Sequence, residues 1–401
     1  MTGERAGLRV AIVYHFFAHY RRAVLIELVR RGRHRYRFVG DRRDPVSPDI
    51  APWEIPASVP FEFAPLRRLG GNVLWQRGLL RLALRRDLDV VIFLGNPYWL
   101  TTWLAAALAR IAGKRVLFWT HGWTTRESGM KAWARRTFYR IAHGLLLYGH
   151  FGKDRAIECG FAPDRLYVIY NSLDVDEQRA ARSRVDRDQL RALRAKLFTR
   201  PEIPVAVCTG RLHAFRRVDL LLRATARLKQ AGHPVNVLLV GDGPDRPRLE
   251  SLARELDLDV CFYGACYDES VLCALLMASN VLVSPGMIGL AAMHAMGYGT
   301  PAISHDDPYG QTPEFEAILP GRTGDFFRRD DEEDLARAIR TWTRTEFPSE
   351  ETRLACDEVI DRFWNPRFQR VAIERAIDGR PADDLSWQHE RLAGAPDGED
   401  A

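Results

Sequence analysis

Residues Ser284 to Pro301 read SPGMIGLAAMHAMGYGTP. An apolar run, Val281-Leu-Val283, precedes them and Ala302-Ile303 follows. The pattern predicts a strand, a glycine loop, a short helix, a glycine stop and another strand. Such a loop aims backbone N–H groups and the positive end of a helix dipole at an anion, so a phosphate is its natural guest. These eighteen residues hold one histidine, His294, and no Asp, Glu, Lys or Arg. The charge that balances a bound phosphate must come from elsewhere in the chain.

Outward from this stretch the same scheme recurs. Strands are expected at Val205–Thr209, Val235–Val240 and Val260–Tyr263, with helices at Val218–Ala231 and Arg246–Leu256 and one capped by Asp268. The first half alternates likewise, with strands at Leu8–Tyr14, Tyr36–Gly40, Val90–Leu94, Arg115–Thr120, Gly144–Tyr148 and Arg165–Tyr170. An irregular, proline-rich connection is expected at Pro45–Pro65. Alternating strands and helices predict an α/β fold with parallel sheets covered on both faces.

At 401 residues the chain suits two domains of about 150–200 residues each. The reading is residues 1–185 as a first Rossmann-like domain, 186–200 as a charged linker and 201–360 as a second Rossmann-like domain. A terminal helix at 361–380 can cross back to the first domain, and a poorly ordered tail is expected at 381–401. Charge divides along the same line. Residues 1–180 carry 29 Lys+Arg against 16 Asp+Glu and residues 181–401 carry 29 against 36, within a net +6. The basic half reads either as a solvated arginine surface or as a face for an anionic membrane or acceptor.

Six cysteines stand at no zinc or redox spacing, which fits a reduced, cytoplasmic chain. No signal peptide is expected, and no apolar run reaches spanning length, Trp99–Ala112 being the nearest. Basic residues without a reading module argue against nucleic acid.

Thr209-Gly-Arg-Leu-His-Ala-Phe-Arg-Arg-Val-Asp-Leu-Leu-Leu222 sets Arg211 and Arg216 in a loop after a strand, where two guanidiniums can fork onto phosphate oxygens. Val240-Gly-Asp-Gly-Pro244 lacks the third glycine of a dinucleotide fingerprint, so a nicotinamide cofactor is not expected. Three D-x-D triplets, at Asp87, Asp174 and Asp257, fall beside elements as ordinary turn acids do, and no metal site is expected.

The order G-R-L, V-D-L-L-L, V-G-D-G-P, F-Y-G, S-P-G-x-x-G-L and A-M-x-x-G-T-P over residues 205–327 resembles the donor half of retaining family 4 (group 1) glycosyltransferases. Trp119-Thr-His-Gly122 and Val168-Ile-Tyr-Asn-Ser-Leu-Asp174 resemble its first half more loosely. The resemblance implies the GT-B fold, two Rossmann-like domains facing a central cleft. It implies a retaining, metal-independent hexosyltransferase that moves a sugar from a nucleotide-diphosphate sugar, a substrate rather than a cofactor, to a glycan or lipid-linked glycan acceptor in cell-surface polysaccharide or glycolipid assembly. It further implies that Arg211 and Arg216 neutralise the donor diphosphate, that Gly264, Ala265 and Cys266 receive the base, and that His121 lies near the transferred sugar. The loop of Gly286, Met287, Ile288, Gly289 and Leu290 would cradle the distal phosphate.

Two glutamates eight residues apart are usual in that family, and their positions are Gly286 and His294 here. His294 is read as a ribose ligand or as a core histidine with a buried partner. In Gln311-Thr-Pro-Glu-Phe-Glu-Ala-Ile318, Glu314 or Glu316 is read as a replacement carboxylate or as a surface acid. The loss of both glutamates leaves two alternatives: an inactive nucleotide-sugar-binding partner, and a nucleotide-sugar epimerase on the same fold. In His15-Phe-Phe-Ala-His-Tyr-Arg-Arg22, His15, His19 and Arg21 can meet an anionic group, and aromatics beside arginines suit the inner face of the cytoplasmic membrane.

Overall fold

The structure, a computed structural model, describes residues 7–43, 51–70 and 73–382. The first part of the proline-rich connection and nearly all of the expected tail lie outside these residues. The chain divides into two compact units, Met1–Ser172 with Pro366–Ala401, and Leu173–Asn365.

The first unit contains β1 Arg9–Phe16, β2 Arg35–Asp41, β3 Phe61–Phe63, β4 Leu66–Gly70, β5 Val73–Gln76, β6 Val90–Leu94, β7 Arg115–Thr120, β8 Gly144–Leu147 and β9 Leu166–Val168. Seven of these form a sheet in the order β3-β2-β1-β6-β7-β8-β9, parallel at every pairing, while β4 and β5 make a separate hairpin. Alternate residues feed two cores. Val13, Val91, Phe93 and Phe118 pack on one face, and Ile12, Ile92, Leu117 and Trp119 on the other. Burial on both faces is why these strands read as unbroken apolar runs.

The second unit contains β10 Val205–Thr209, β11 Asn236–Val240, β12 Val260–Gly264, β13 Val281–Ser284, β14 Ala302–His305 and β15 Gly324–Phe327, in the order β12-β11-β10-β13-β14-β15 and again parallel. Strand order reverses between β10 and β13. The chain leaves their carboxyl ends through the loops 210–217 and 285–290, and ligands bind at such a point.

Residues 186–200 do not form a linker. They hold the helix Arg187–Leu197, capped by Asp186 and Gln189 in a reciprocal box. Its charges cover the outer face, while Leu190 and Arg194 are buried. Arg194 donates to the Ala278 carbonyl at 2.6 Å and to Asn280 Oδ1 at 2.9 Å, over the ring of Phe347. Desolvation lowers its pKa to about 10. The chain changes unit earlier, between Ser172 and Leu173.

The helix Pro366–Ile377 belongs to the first unit. Gln369 donates to the Tyr170 carbonyl at 2.8 Å and accepts from Ser172 Oγ at 2.5 Å. Glu374, 1% exposed, accepts from the Arg33 backbone N–H at 2.6 Å, from Tyr36 Oη at 3.3 Å and from Arg370 at 3.2 Å. A buried carboxylate is tolerated because these donors surround it.

Candidate functional site

At the β10/β13 reversal two loops lock together. The backbone N–H of Gly286 donates to the Arg216 carbonyl at 3.0 Å, and Arg216 Nη1 donates to the Met287 carbonyl at 2.6 Å. A Cβ on Gly286 would stand 2.6 Å from the Phe215 carbonyl oxygen and 2.9 Å from Arg216 Cα. The position that lacks a carboxylate therefore has no space for a side chain. Its smallness lets the basic loop seat Arg216 directly on the candidate phosphate cradle, with Arg211 exposed on the same loop. Gly241 and Gly243 serve packing too, since added Cβ atoms would meet the Gly210 and Leu212 carbonyl oxygens at 1.9 and 2.3 Å.

The cradle is braced by the loop after β14. Ile288 N–H donates to Gln311 Oε1 at 3.1 Å and Gly289 N–H to Thr312 Oγ1 at 2.7 Å. Gln311 Nε2 in turn donates to Ser304 Oγ at 2.7 Å. Two amides expected to face a phosphate are thus taken by side chains. Those of Leu290 and Ala291 head the helix Ala291–Gly297, whose first turn offers them no acceptor. Gln311 and Thr312 are functional candidates that the sequence reading quoted but passed over in favour of the nearby acids. Glu314 and Glu316, each 3% exposed, are not surface carboxylates.

Gly264 ends β12 and bridges Gly241, so Ala265 and Cys266 stand at the carboxyl edge, Ala265 exposed. Asp268 then caps the helix Glu269–Met277 through the N–H groups of Ser270 and Val271. Its first residue, Glu269, had drawn no attention in the sequence. His294 Nδ1 lies 3.7 Å from Glu269 Oε1, and Tyr298 Oη donates to the same oxygen. Burial, then the hydrogen bond to Glu269 and its charge, push the Tyr298 hydroxyl's pKa well up, so it stays protonated. His294 is only a quarter exposed, and a carboxylate reaches it from a neighbouring helix.

His15, His19 and His121 lie on the first unit. His121 follows β7, and its ring sits 4.5 Å from that of Tyr148. Tyr148 Oη is 3.0 Å from Tyr14 Oη and accepts from Arg21 Nη2 at 2.5 Å, while the Arg21 guanidinium lies 4.6 Å above the Tyr14 ring. His121 reaches solvent, yet desolvation by its neighbours first, then the Arg21 charge, lower its pKa to about 4, so the ring is neutral at pH 7. His15 packs edge-on to Trp99, and exposed His19 has Nδ1 3.2 Å from the Ala51 carbonyl. Phe16 and Phe17 are 2% exposed and belong to the core, while His15 and Tyr20 are partly exposed. Among the described residues no group of three or more His, Cys, Asp or Glu is placed to hold a metal ion, and no helix is long and apolar enough to cross a membrane.

Residues 18–177 match the family model for Glycosyltransferase Family 4, and residues 203–344 that for Glycosyl transferases group 1. The chain is 36% identical over 97 residues to the GDP-mannose-dependent alpha-(1-6)-phosphatidylinositol dimannoside mannosyltransferase of Mycobacterium tuberculosis, covering 23% of this chain and 25% of that one. It is 28% identical over 211 residues to the 2-deoxystreptamine glucosyltransferase of Streptomyces kanamyceticus, covering 48% and 53%. The matched segments thus span a quarter to a half of these curated relatives. A solved lipopolysaccharide outer core galactosyltransferase, in its apo form, superposes with a TM-score of 0.67 at 15% identity, over 92% of this chain and 99% of that one, which is a likeness of fold.

Proposed function

Because the chain belongs to the group 1, family 4 glycosyltransferases and carries their GT-B fold, we propose that it transfers a hexose, with retention, from a nucleotide-diphosphate sugar to a glycan or lipid-linked glycan acceptor. The observation that carries the reading is Arg216 bonded to the Met287 carbonyl within the glycine cradle. A guanidinium in that place meets a phosphate seated at the amides of Leu290 and Ala291, and Arg211 adds a second charge from the same loop.

In the proposed reaction the bond from the anomeric carbon to the diphosphate oxygen breaks as the acceptor oxygen bonds on the same face. The acceptor proton passes to the departing phosphate oxygen, so no protein carboxylate is needed as base. The chain contributes position and positive charge. Neutral His121 is assigned to the sugar, the segment Gly264–Cys266 to the base, and His294, oriented by Glu269, to the ribose hydroxyls. Glu314 and Glu316 back the sugar side. The nucleotide sugar is a substrate, and the scheme uses no cofactor or metal. The setting proposed is cytoplasmic, at the inner face of the membrane where polysaccharide or glycolipid is assembled.

Thermal unfolding with UDP-, GDP- and dTDP-sugars tests donor binding, and no shift with any of them overturns the reading. Release of nucleotide diphosphate in proportion to added acceptor then identifies a transferase. An isomerised donor without acceptor identifies an epimerase. Binding without turnover identifies an inactive partner, a reading favoured by the closed space at Gly286.

A further inference from the structure

Between Asp89 and Asp154 the sequence holds one acid, Glu127, against nine Lys and Arg. Glu127 is spent internally, paired with Arg135 at 2.6 Å. Two helices of this segment, Leu100–Ile111 and Gly129–Tyr139, lie side by side: the Trp103 and Phe138 rings are 4.9 Å apart, and Arg110 Nη1 donates to the Ile141 carbonyl at 2.7 Å. Their outer faces are unusually apolar. Leu104 is 50% exposed, Ile111 83%, Met130 82% and Trp133 66%.

Cations accompany this patch. Lys131, Arg136 and Arg140 are exposed, and no carboxylate of the described residues lies within ion-pair distance of any of them. Other arginines of the first unit are paired with acids, as Arg9 is with Asp89 and Arg85 with Asp87. Met130, Trp133, Arg136 and Arg140 fall at helical spacing on one stripe, so large apolar side chains and unneutralised cations share a face.

We propose that this face docks on an anionic phospholipid bilayer, with Trp133 and Met130 entering the headgroup layer and Arg136 and Arg140 meeting lipid phosphates. Long cationic side chains and an indole suit that boundary, where one end is apolar and the other wet. A second copy of the chain fits less well, because a symmetric contact through this face would set like charges against each other. The proposal relocates the membrane contact from His15–Arg22 to a surface about a hundred residues further along the chain, and it depends on no catalytic step.

The test is co-sedimentation of the full chain with vesicles of phosphatidylcholine alone and with phosphatidylglycerol added. Binding is expected only with phosphatidylglycerol and should weaken as salt rises. Replacing Arg136 and Arg140 together by Ala should reduce it on the order of thirtyfold. Trp133→Glu should reduce it at least about tenfold with the melting temperature unchanged, since the side chain is exposed. Failure of the wild-type protein to pellet with phosphatidylglycerol vesicles overturns the proposal. So does equal pelleting of both variants, or a concentration-dependent dimer abolished by Trp133→Glu in a protein that ignores vesicles. Donor-induced thermal shifts are read separately, so either proposal can fail without the other.

Discussion

The carbonyl oxygen of Phe215 occupies the place where a side chain on Gly286 would begin, 2.6 Å from the Cβ such a residue would carry. Restoring the acid by Gly286→Glu is therefore expected to damage the site rather than improve it. Forcing the backbone of the Arg216 loop aside should cost about 1–3 kcal/mol. Thermal unfolding should show a melting temperature lower by several degrees and a loss of donor-induced stabilisation. A variant of unchanged stability with tighter donor binding would show that the pocket is open.

Arg216→Ala removes both the hydrogen bond to Met287 and the charge offered to a diphosphate. Binding of the nucleoside diphosphate, by calorimetry, is expected to weaken on the order of a hundredfold, the scale of a lost charge-assisted bond. Arg216→Lys should fall between, because one ammonium then serves the carbonyl and the phosphate together.

His294 and Glu269 should act as a unit. His294→Ala and Glu269→Gln are each expected to raise the donor KM about tenfold with little change in kcat. The double variant should cost no more than the worse single one, which is the mark of coupled residues. Strict additivity in that cycle would separate the two roles.

The lowered pKa of His121 has a definite sign. With about 4 in the fold against an ordinary 6.5, the unfolded chain binds the extra proton between those values. Its contribution to stability is complete above about pH 6.5 and is lost as pH falls through 6.5 towards 4. Proton NMR titration of the ring should give a midpoint near 4, and His121→Gln should remove that dependence. A midpoint near 6.5 would mean that solvent, to which the residue is exposed, hydrates the ring and screens the Arg21 charge.

Glu374 joins the terminal helix to the start of the chain through Arg33 and Tyr36. Glu374→Ala leaves the buried Tyr36 hydroxyl and the part-buried Arg33 and Arg370 without their acceptor, which costs about 1–3 kcal/mol. Calorimetry should show a marked loss of stability. A change within about 0.5 kcal/mol would mean that water replaces the carboxylate freely.

Much of this was legible in the sequence for local reasons. Strand runs such as Val90–Leu94 and Val281–Val283 announce burial on both faces, and the glycines around Gly289 announce a turn into a helix. The charged stretch 186–200 was misleading because Arg194 is a buried cation bonded through Nε and Nη2 to carbonyls distant in sequence, whereas composition treats it as solvated. The unit boundary at Ser172 was hidden for a similar reason, since its partner Gln369 lies 197 residues away.

The sequence by itself determined the alternation of strands and helices, the order of the loops and the glycine turn into the helix Ala291–Gly297, because each depends on neighbours within a few positions. Only the tertiary structure decided how the missing glutamates are accommodated. At Gly286 the backbone of a loop 70 residues away fills the space, and at His294 a carboxylate arrives from the helix that starts at Glu269. Those relationships follow from which strands lie adjacent in the sheet and which helices pack beside them, and no local periodicity encodes that adjacency.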